Sequence, residues 1–265
     1  MTISQEFSGR LQICHGQAVH FQSKLTTMKY LGHWASVMFA LGTCAFAVVA
    51  EQPGAADWTQ FRGPTGQGIS HAKGLPVEWS STKNITWKKR IPGTGWSSPL
   101  FVRGQIYLTT AVPLGDDEPM DRSLRAICLD GRSGATVWDN EVFLQDGKTA
   151  PGIHSKNSHA SPTPIVHDGH LYVHFGHQGT ACLSLDGKPL WRTRRVQYQP
   201  RHGNACSPIV ADDNLIFTCD GQTDPFVIAL DCATGKQRWR TFRDIATDSP
   251  FSFSTPLLIH VDGKP

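Results

Sequence analysis

The sequence repeats two short motifs in alternation along most of its length. The first is a Ser or Thr, a Pro and an apolar run, found four times, at residues 98–102, 163–166, 207–210 and 255–259. The second is an apolar run ending in Leu-Asp, then a turn and a Trp, found at residues 126–138, 183–191 and 228–239. The motif prolines are 65, 44 and 48 residues apart, and the motif tryptophans 53 and 48. Repetition at roughly 40–50 residues with short strands is typical of a β-propeller, in which each repeat forms one four-stranded blade.

Each repeat divides into four apolar runs separated by turn residues, which predicts four antiparallel strands per blade. The third repeat shows this best, with strands expected at residues 206–210, 215–218, 226–230 and 237–242. Residues 84–88 resemble a lone last strand, and residues 255–259 begin another blade. We therefore predict an all-β fold, with an incomplete propeller of about three and a half blades over residues 84–265. Because propellers typically have about 4–8 blades, we expect a truncated sequence; the alternative is that a second copy completes the ring.

A tryptophan recurs at one point of the repeat, in the last strand of each blade. A large flat ring at this position is suited to filling the space between neighbouring sheets. We therefore predict a packing role, not a catalytic one, for Trp87, Trp138, Trp191 and Trp239.

The first fifty residues differ from the remainder in composition. Lys29 precedes an apolar stretch from Tyr30 to Val49, and small residues suited to cleavage lie at positions 45–50. This order is typical of a secretory signal, so we predict a targeting segment at 1–50, with Met28 as the expected true start, and an N-terminal extended segment at 51–83. The alternative is a membrane anchor, because the apolar run approaches the ~20 residues that span a bilayer. Either way, we expect the protein in the periplasm or elsewhere in the cell envelope.

Five of the seven cysteines follow the targeting segment. An odd number at irregular spacing fits neither a disulfide framework nor a zinc site. Cys206 and Cys219 are symmetric about the Asp212-Asp213 turn, so a tight hairpin would place them opposite one another. We expect two buried thiols there; the alternative is a disulfide formed in an oxidising compartment after export.

The overall charge argues against a nucleic-acid partner. Charged residues make up 18% of the chain, and the formal net charge is only +3. A protein that tracks phosphates concentrates basic residues on one surface, whereas the basic residues here are scattered along predicted strands and their ends.

Blade topology predicts the face on which a binding site lies. In a four-stranded antiparallel blade, the loop between the second and third strands and the loop to the next blade share one face, and these loops are the long ones here. Long loops on a rigid scaffold commonly form binding sites. The predicted rim residues in and beside these loops are His154, His159, His177, His202, Asn204, Asp220, Asp224 and Trp96.

Three interpretations of this rim remain open at the level of sequence. Each His can stabilise its loop by hydrogen bonding to the backbone, or the rim can contact a ligand or a metal, or it can perform acid–base chemistry near neutral pH. If a metal binds, its expected ligands are His159, His177 and His202. We assign no catalytic residue, because no Ser, His and Asp occur in a strand–turn–helix context.

The pattern Leu-Asp-x-x-x-Gly-x-x-x-Trp at residues 129–138 and 230–239 resembles the repeat of pyrroloquinoline-quinone-like (PQQ-like) β-propellers. The run from Trp58 to Gly68 is similar to the start of exported proteins of this superfamily from planctomycete-type bacteria. More distantly, the superfamily includes quinoprotein dehydrogenases, which hold PQQ and calcium in an eight-bladed ring. It also includes cofactor-free scaffolds, such as the lipoprotein of the β-barrel assembly machinery.

Two departures from the dehydrogenases shape the expected function. The sequence has no adjacent Cys-Cys pair, and no Glu/Asn/Asp set matches the calcium ligands. We therefore expect an exported binding or scaffold propeller without a cofactor, not an enzyme, with a protein, small-molecule or carbohydrate ligand. One alternative is a fragment of a PQQ-dependent dehydrogenase with calcium. The other is a metal-binding enzyme that uses the histidine-rich rim.

Overall fold

The computed structural model describes residues 3–6, 10–13, 57–115, 121–259 and 261. The export signal predicted after Met28 lies outside the described residues. Within them, every regular element is a β-strand except one 3-10 helix at Gly176–Gln178. The predicted all-β class is therefore confirmed. No helix in the described part of the chain has the length and apolar character needed to cross a bilayer.

Most strands belong to sheets in which strands consecutive in sequence pair with one another. In chain order the strands are β1 (Ile3–Glu6), β2 (Arg10–Ile13), β3 (Trp87–Arg90), β4 (Leu100–Val102), β5 (Gln105–Pro113), β6 (Arg122–Asp130), β7 (Thr136–Gln145), β8 (Ile165–His167), β9 (His170–His174), β10 (Thr180–Ser184), β11 (Pro189–Thr193), β12 (Ile209–Ala211), β13 (Asn214–Cys219), β14 (Phe226–Asp231) and β15 (Gln237–Phe242). Strands β4–β7 form blade 1, β8–β11 form blade 2 and β12–β15 form blade 3, while β1, β2 and β3 form a three-stranded sheet.

The predicted propeller of four-stranded antiparallel blades is confirmed, with three complete blades. The two ends of the repeat region differ from expectation. The strand predicted at 84–88 begins at Trp87, and it pairs with β2 instead of standing alone. Residues 255–259 form no strand.

The hydrophobic core lies between successive blades. One buried cluster joins Leu100 and Leu124 of blade 1 to Leu171 of blade 2. A second joins Tyr172 of blade 2 to Phe217 of blade 3. Blade 2 therefore buries one face against blade 1 and the other against blade 3, so its stability depends on the blades beside it.

Three of the repeated tryptophans join each sheet to the next one. In every case the indole N–H donates to a backbone carbonyl in the turn between the third and fourth strands of the following blade. The pairs are Trp87 Nε1 to Gly131 O (3.3 Å), Trp138 Nε1 to Leu185 O (2.9 Å) and Trp191 Nε1 to Cys232 O (2.8 Å). Trp239 belongs to the last blade described, and it is 40% exposed.

The glycine of each receiving turn is required by the same contact. A Cβ at Gly134 would lie 2.5 Å from the Trp87 ring, and a Cβ at Gly235 would lie 2.5 Å from the Trp191 ring. Both glycines also have a positive φ, 72° and 67°, which L side chains rarely adopt. The Leu-Asp-x-x-x-Gly-x-x-x-Trp pattern thus encodes both partners of the contact between blades.

A second link between blades uses the Ser or Thr that precedes each motif proline. Its hydroxyl accepts a hydrogen bond from the backbone N–H of the equivalent residue in the preceding blade. The links are Ser98 N to Thr163 Oγ1 (2.9 Å), Thr163 N to Ser207 Oγ (2.9 Å) and Ser207 N to Thr255 Oγ1 (3.1 Å). Thr255 therefore occupies the position expected of a fourth repeat, although no strand follows it.

The N-terminal strap, residues 57–68, crosses the first strands of the blades. Trp58 exchanges two backbone hydrogen bonds with Phe101 of blade 1, at 2.6 and 3.0 Å. The next strap residue, Thr59, accepts from the N–H of Val166 in blade 2 at 2.8 Å. Because β4 contacts β8 and β8 contacts β12, the strap runs where the inner strands of the blades meet.

We expect Trp191→Ala to lower the free energy of unfolding by about 3 kcal/mol, because it removes a large ring from between two blades. The matched control is Trp239→Ala, for which we expect a loss below about 1 kcal/mol, since this ring has no receiving turn in the described structure. Urea unfolding of both variants measures the difference. Equal losses would contradict the role given to the contact.

We expect Thr163→Val to destabilise the protein by about 1–3 kcal/mol, because the half-buried N–H of Ser98 then loses its acceptor. Thr163→Ser keeps the hydroxyl and should retain most of the stability. Thermal unfolding compares the two. If the Val and Ser variants unfold at the same midpoint temperature, the hydroxyl link does not contribute to stability.

Candidate functional site

The two faces of the blades differ as the topology predicts. On one face, the short turn after the first strand contacts the turn after the third, as in the bonds Gly131 N to Gly104 O (2.8 Å) and Cys232 N to Asp213 O (2.9 Å). The opposite face carries the long connections, which we call the rim loops: residues 146–161, 175–179, 194–206, 219–225 and 243–254.

Asn157 joins the rim loops that follow blades 1 and 2. Its side-chain amide donates to the carbonyl of His202 at 2.9 Å, and its backbone N–H donates to the carbonyl of His154 at 2.8 Å. The backbone N–H of His154 also donates to the His202 carbonyl, at 3.2 Å. Two loops from different blades therefore form one hydrogen-bonded unit.

An aromatic cluster covers this unit on its outer side. We define the aromatic cluster as His154, His202, Phe251 and Phe253. The ring of His202 lies edge-on to His154 (5.6 Å between centroids) and to Phe251 (5.1 Å), and Phe251 lies 5.9 Å from Phe253. The guanidinium of Arg201 lies 5.3 Å from the centre of the Phe251 ring, a cation–π arrangement.

A polar layer lies beneath the rim surface. The Tyr198 hydroxyl donates to Asn204 Oδ1 at 2.6 Å, and the Asn204 amide nitrogen lies 3.3 Å from His177 Nδ1. Burial lowers the pKa of His177, and it lowers that of His159 to about 4, with a further contribution from the positive charge of Arg122. Both imidazoles are therefore neutral at pH 7, and each serves as a hydrogen-bonding or packing group.

The two predicted carboxylates have different positions. The Asp220 side chain is fully buried, and its Oδ1 binds Arg243 Nη1 at 2.5 Å. Its other oxygen, Oδ2, has no hydrogen-bond partner among the described residues. Asp224 is exposed in the loop of blade 3, with a positive φ of 49°.

Two neighbouring cavities open on the rim beside the aromatic cluster. One, of about 430 Å³, is lined by His154, Lys156, His202 and Phe253, among others. The other, of about 610 Å³, shares Lys156 and Phe253 with it and adds Trp96. Together they form the rim groove, which reaches Arg62 of the strap at its inner end.

Apart from Asp224, which is exposed in the loop of blade 3, the predicted rim residues divide by depth. Three of them, Trp96, His154 and His202, line the rim groove with exposed or half-exposed side chains. Four others lie buried or half-buried below the surface: His159, His177, Asn204 and Asp220. The groove residues outside the predicted set include Arg62, Lys156, Asn157 and Phe253. The topology that identified the two earlier inter-blade loops applies equally to residues 243–254 and could have identified Phe253.

The imidazoles proposed as metal ligands do not form a ligand set. Among the described residues, the only group of three His, Cys, Asp or Glu side chains with ligand atoms within 4.8 Å of one another is His167, Asp168 and Asp213. These residues lie in the short turns on the face opposite the rim. His167 Nε2 is 3.6 Å from Asp168 Oδ2 and 4.0 Å from Asp213 Oδ1, and both aspartates are exposed.

The five described cysteines are buried free thiols. The hairpin register pairs Ile209 with Ile216 about the Asp212-Asp213 turn, and continuing it places Cys206 opposite Cys219. The backbone N–H of Thr218 donates to Cys206 Sγ at 3.2 Å. Burial raises the pKa of both Cys206 and Cys219, so both remain protonated at neutral pH.

Comparison with known proteins gives a consistent family. A family model described as outer membrane protein assembly factor BamB matches residues 65–243. Among proteins of curated function, none matches the sequence.

Solved structures similar to this chain include two dehydrogenases and one assembly factor. Quinohemoprotein alcohol dehydrogenase from Comamonas testosteroni is 18% identical (TM-score 0.43), over 57% of this chain and 21% of that one. A europium-containing methanol dehydrogenase is 18% identical (TM-score 0.41), over 54% and 24%. BamB from Moraxella catarrhalis is 20% identical (TM-score 0.40), over 61% and 43%. This chain thus spans about a fifth to two fifths of the length of these proteins.

The buried imidazoles make stability depend on pH. Burial lowers the pKa of His174 to about 3 and that of His159 to about 4, whereas an unfolded His protonates near pH 6.5. The unfolded chain therefore binds more protons between about pH 6.5 and pH 4. We expect the free energy of unfolding to be highest, with respect to these groups, above about pH 6.5 and to fall as the pH is lowered through this window.

Urea unfolding at about pH 7, 5.5 and 4.5 measures this dependence. His174→Gln should reduce the fall, because it removes an imidazole that is buried against Phe217, with 4.1 Å between ring centroids. The matched control is His170→Gln, which changes a half-buried imidazole on the same strand. If His174→Gln leaves the fall unchanged, this imidazole does not cause it.

Proposed function

Because this chain belongs to the family described as outer membrane protein assembly factor BamB, whose model matches residues 65–243, we propose that it is an exported, non-catalytic propeller that binds a protein partner. The family description concerns assembly at the outer membrane, which supports a location in the cell envelope. The binding surface we assign to the partner is the rim groove. We assign it no cofactor.

The observation that carries this proposal is the combination of exposed rings and cations in the groove. Trp96 is 39% exposed and Phe253 is 44% exposed, and aromatic side chains dominate the energetics of protein interfaces. Lys156 and Arg62 are exposed along the same groove. Neither cavity that forms the groove has an Asp or Glu in its lining.

This surface suits a partner that presents apolar and acidic side chains together. Apolar side chains would pack on Trp96 and the aromatic cluster, and acidic ones would lie near Lys156 and Arg62. Complementary charge of this kind mainly increases the association rate and the specificity of binding. The hydrogen bonds of Asn157 support the proposal, because they hold the groove loops in one arrangement before a partner binds.

Two of the four rim imidazoles, His159 and His177, are better placed for support than for catalysis. His159 and His177 are neutral at pH 7 and lie below the surface, so neither is placed to exchange protons with a ligand in the groove. The dehydrogenase alternative would require a set of carboxylate and amide ligands for calcium near the axis. Among the described residues, the cluster of possible metal ligands at His167, Asp168 and Asp213 lies on the opposite face.

We expect a photo-reactive phenylalanine analogue at Phe253 to cross-link a partner in the envelope of expressing cells. The same analogue at Ala233, an exposed residue in a turn of the opposite face, is the positional control. In the Phe253 background, Trp96→Ala should reduce the cross-linked fraction about tenfold or more, as expected for an aromatic residue at the centre of an interface. Lys156→Glu should reduce it about threefold to fivefold if the partner is acidic.

Mass spectrometry of the cross-linked species identifies the partner. Equal cross-linking from the two faces, or none from Phe253, would contradict the proposal. Titration of the purified chain with PQQ and calcium tests the alternative in parallel. Saturable uptake with a change in the quinone absorbance would favour a dehydrogenase.

A further inference from the structure

The first strand of each blade has one edge paired and one edge directed toward the centre of the propeller. In β4, Val102 and Gln105 flank the two-residue turn Arg103-Gly104 and pair with each other. In an antiparallel hairpin, hydrogen-bonded pairs alternate with non-bonded pairs. The N–H and C=O of Phe101, the next residue along β4, therefore point away from β5.

The N-terminal strap uses these outward groups in blades 1 and 2. Phe101 exchanges both of its outward hydrogen bonds with Trp58 in an antiparallel bridge. Val166 holds the same position in β8, and its N–H donates to the Thr59 carbonyl at 2.8 Å. The strap is thus an added strand on the inner edge of two successive blades.

Blade 3 has the same edge without the strap. Val210 is the equivalent residue in β12, since Ala211 pairs with Asn214 across the Asp212-Asp213 turn. By the same alternation, the N–H and C=O of Val210 point away from β13. Among the described residues, no acceptor is found for the Val210 N–H.

The strap leaves the inner edge because its backbone turns before blade 3. The N–H of Gly63 donates to Gln60 O at 2.9 Å, and the N–H of Gly68 donates to Arg62 O at 2.7 Å. Arg62 and Gly63 have φ values of 60° and 77°, which are incompatible with a continued strand. The strap therefore forms a compact loop opposite the edge of β12.

A cavity of about 380 Å³ separates this loop from β12. Phe61 and Arg62 of the strap and Ile209 and Val210 of β12 line it, together with residues 255–258. Its volume is within the ~300–1,000 Å³ typical of ligand sites. The lining contains no Asp or Glu.

Arg62 gives the cavity a positive charge. Its guanidinium lies 5.3 Å from the centre of the Phe61 ring, and no carboxylate in the described part of the chain forms an ion pair with it. An incoming carboxylate could accept two N–H bonds from this planar group. Arg62 also lines the inner end of the rim groove.

We propose that the free edge of β12 binds an extended, acidic polypeptide segment as an added antiparallel strand. Its backbone carbonyl accepts from the Val210 N–H, as the strap does at Val166, and an acidic side chain binds Arg62. Strand addition is an established mode of peptide recognition, and the strap is its internal example here. The proposal rests on the proposed partner-binding function and specifies how the partner is held.

The test measures fluorescence anisotropy with a labelled hexapeptide of alternating Val and Glu, and with a matched peptide in which Gln replaces Glu. Val210→Pro removes the outward N–H, along with the Val side chain and the freedom of φ, and Pro is tolerated at such a position on an edge strand. We expect it to weaken binding of the Glu peptide about threefold to tenfold, the effect of one backbone hydrogen bond. Val210→Ala keeps the N–H and should bind within about twofold of the unmodified protein.

Arg62→Gln tests the charge. It should weaken the Glu peptide to the affinity of the Gln peptide, with the Gln peptide itself unchanged, while Arg62→Lys should retain part of the preference. In addition, the Glu peptide should slow hydrogen exchange of the Val210 amide in the unmodified protein about tenfold or more. This measurement does not depend on whether Val210→Pro folds.

The outcomes separate this proposal from the proposed function. Unchanged exchange at Val210, or equal binding by Val210→Pro, would show that no strand is added at β12. If Trp96→Ala then abolishes binding, the partner uses the rim groove alone and the proposed function stands. If neither peptide binds while cross-linking from Phe253 persists, strand addition is wrong and the rim proposal is again retained.

Discussion

The contact between each tryptophan and the glycine-containing turn of the next blade is the interaction on which the rest of the structure depends. It fixes two adjacent sheets by packing and by a directed hydrogen bond, and the turn accepts the ring only because its Gly has no side chain. Since the three contacts repeat the same geometry, they set the same relation between successive blades. The hydroxyl links at Thr163 and Ser207 repeat at the inner edge in the same way. Together these two series of bonds bring the inner strands side by side.

The rim groove is a consequence of that arrangement. Its walls come from loops that leave different blades, and they meet because the blades beneath them are held together. Asn157 then bonds one loop to the next, which gives the groove a defined shape without a ligand. The buried imidazoles belong to this support and not to the surface. For this reason His159 and His177, which suggest metal binding or acid–base chemistry at the level of sequence, are better understood as support for the exposed rings and cations of the groove.

Sequence reasoning predicted the face of the site but not the depth of its residues. The alternation of short turns and long loops was sufficient to place His154, His177 and Asp220 on one side of the propeller. It could not distinguish an exposed ring such as His154 from a buried one such as His159, because both lie in the same loop and only its folded path separates them. Arg62 illustrates the larger limit. It lies 94 residues before Lys156 and 192 before Ser254, with which it lines the groove, and no local pattern indicates that contact.

The sequence alone determined the repeat, the four strands of each blade and the packing role of the tryptophans, because these depend on local periodicity and on residues that recur at fixed spacing. Tertiary structure alone decided the path of the strap, the groove between loops of different blades and the open edge of β12. Each of these depends on segments distant in sequence meeting in space. The same hairpin pattern occurs at Phe101, Val166 and Val210. Only the turn of the strap at Arg62 and Gly63 makes the third edge different from the first two.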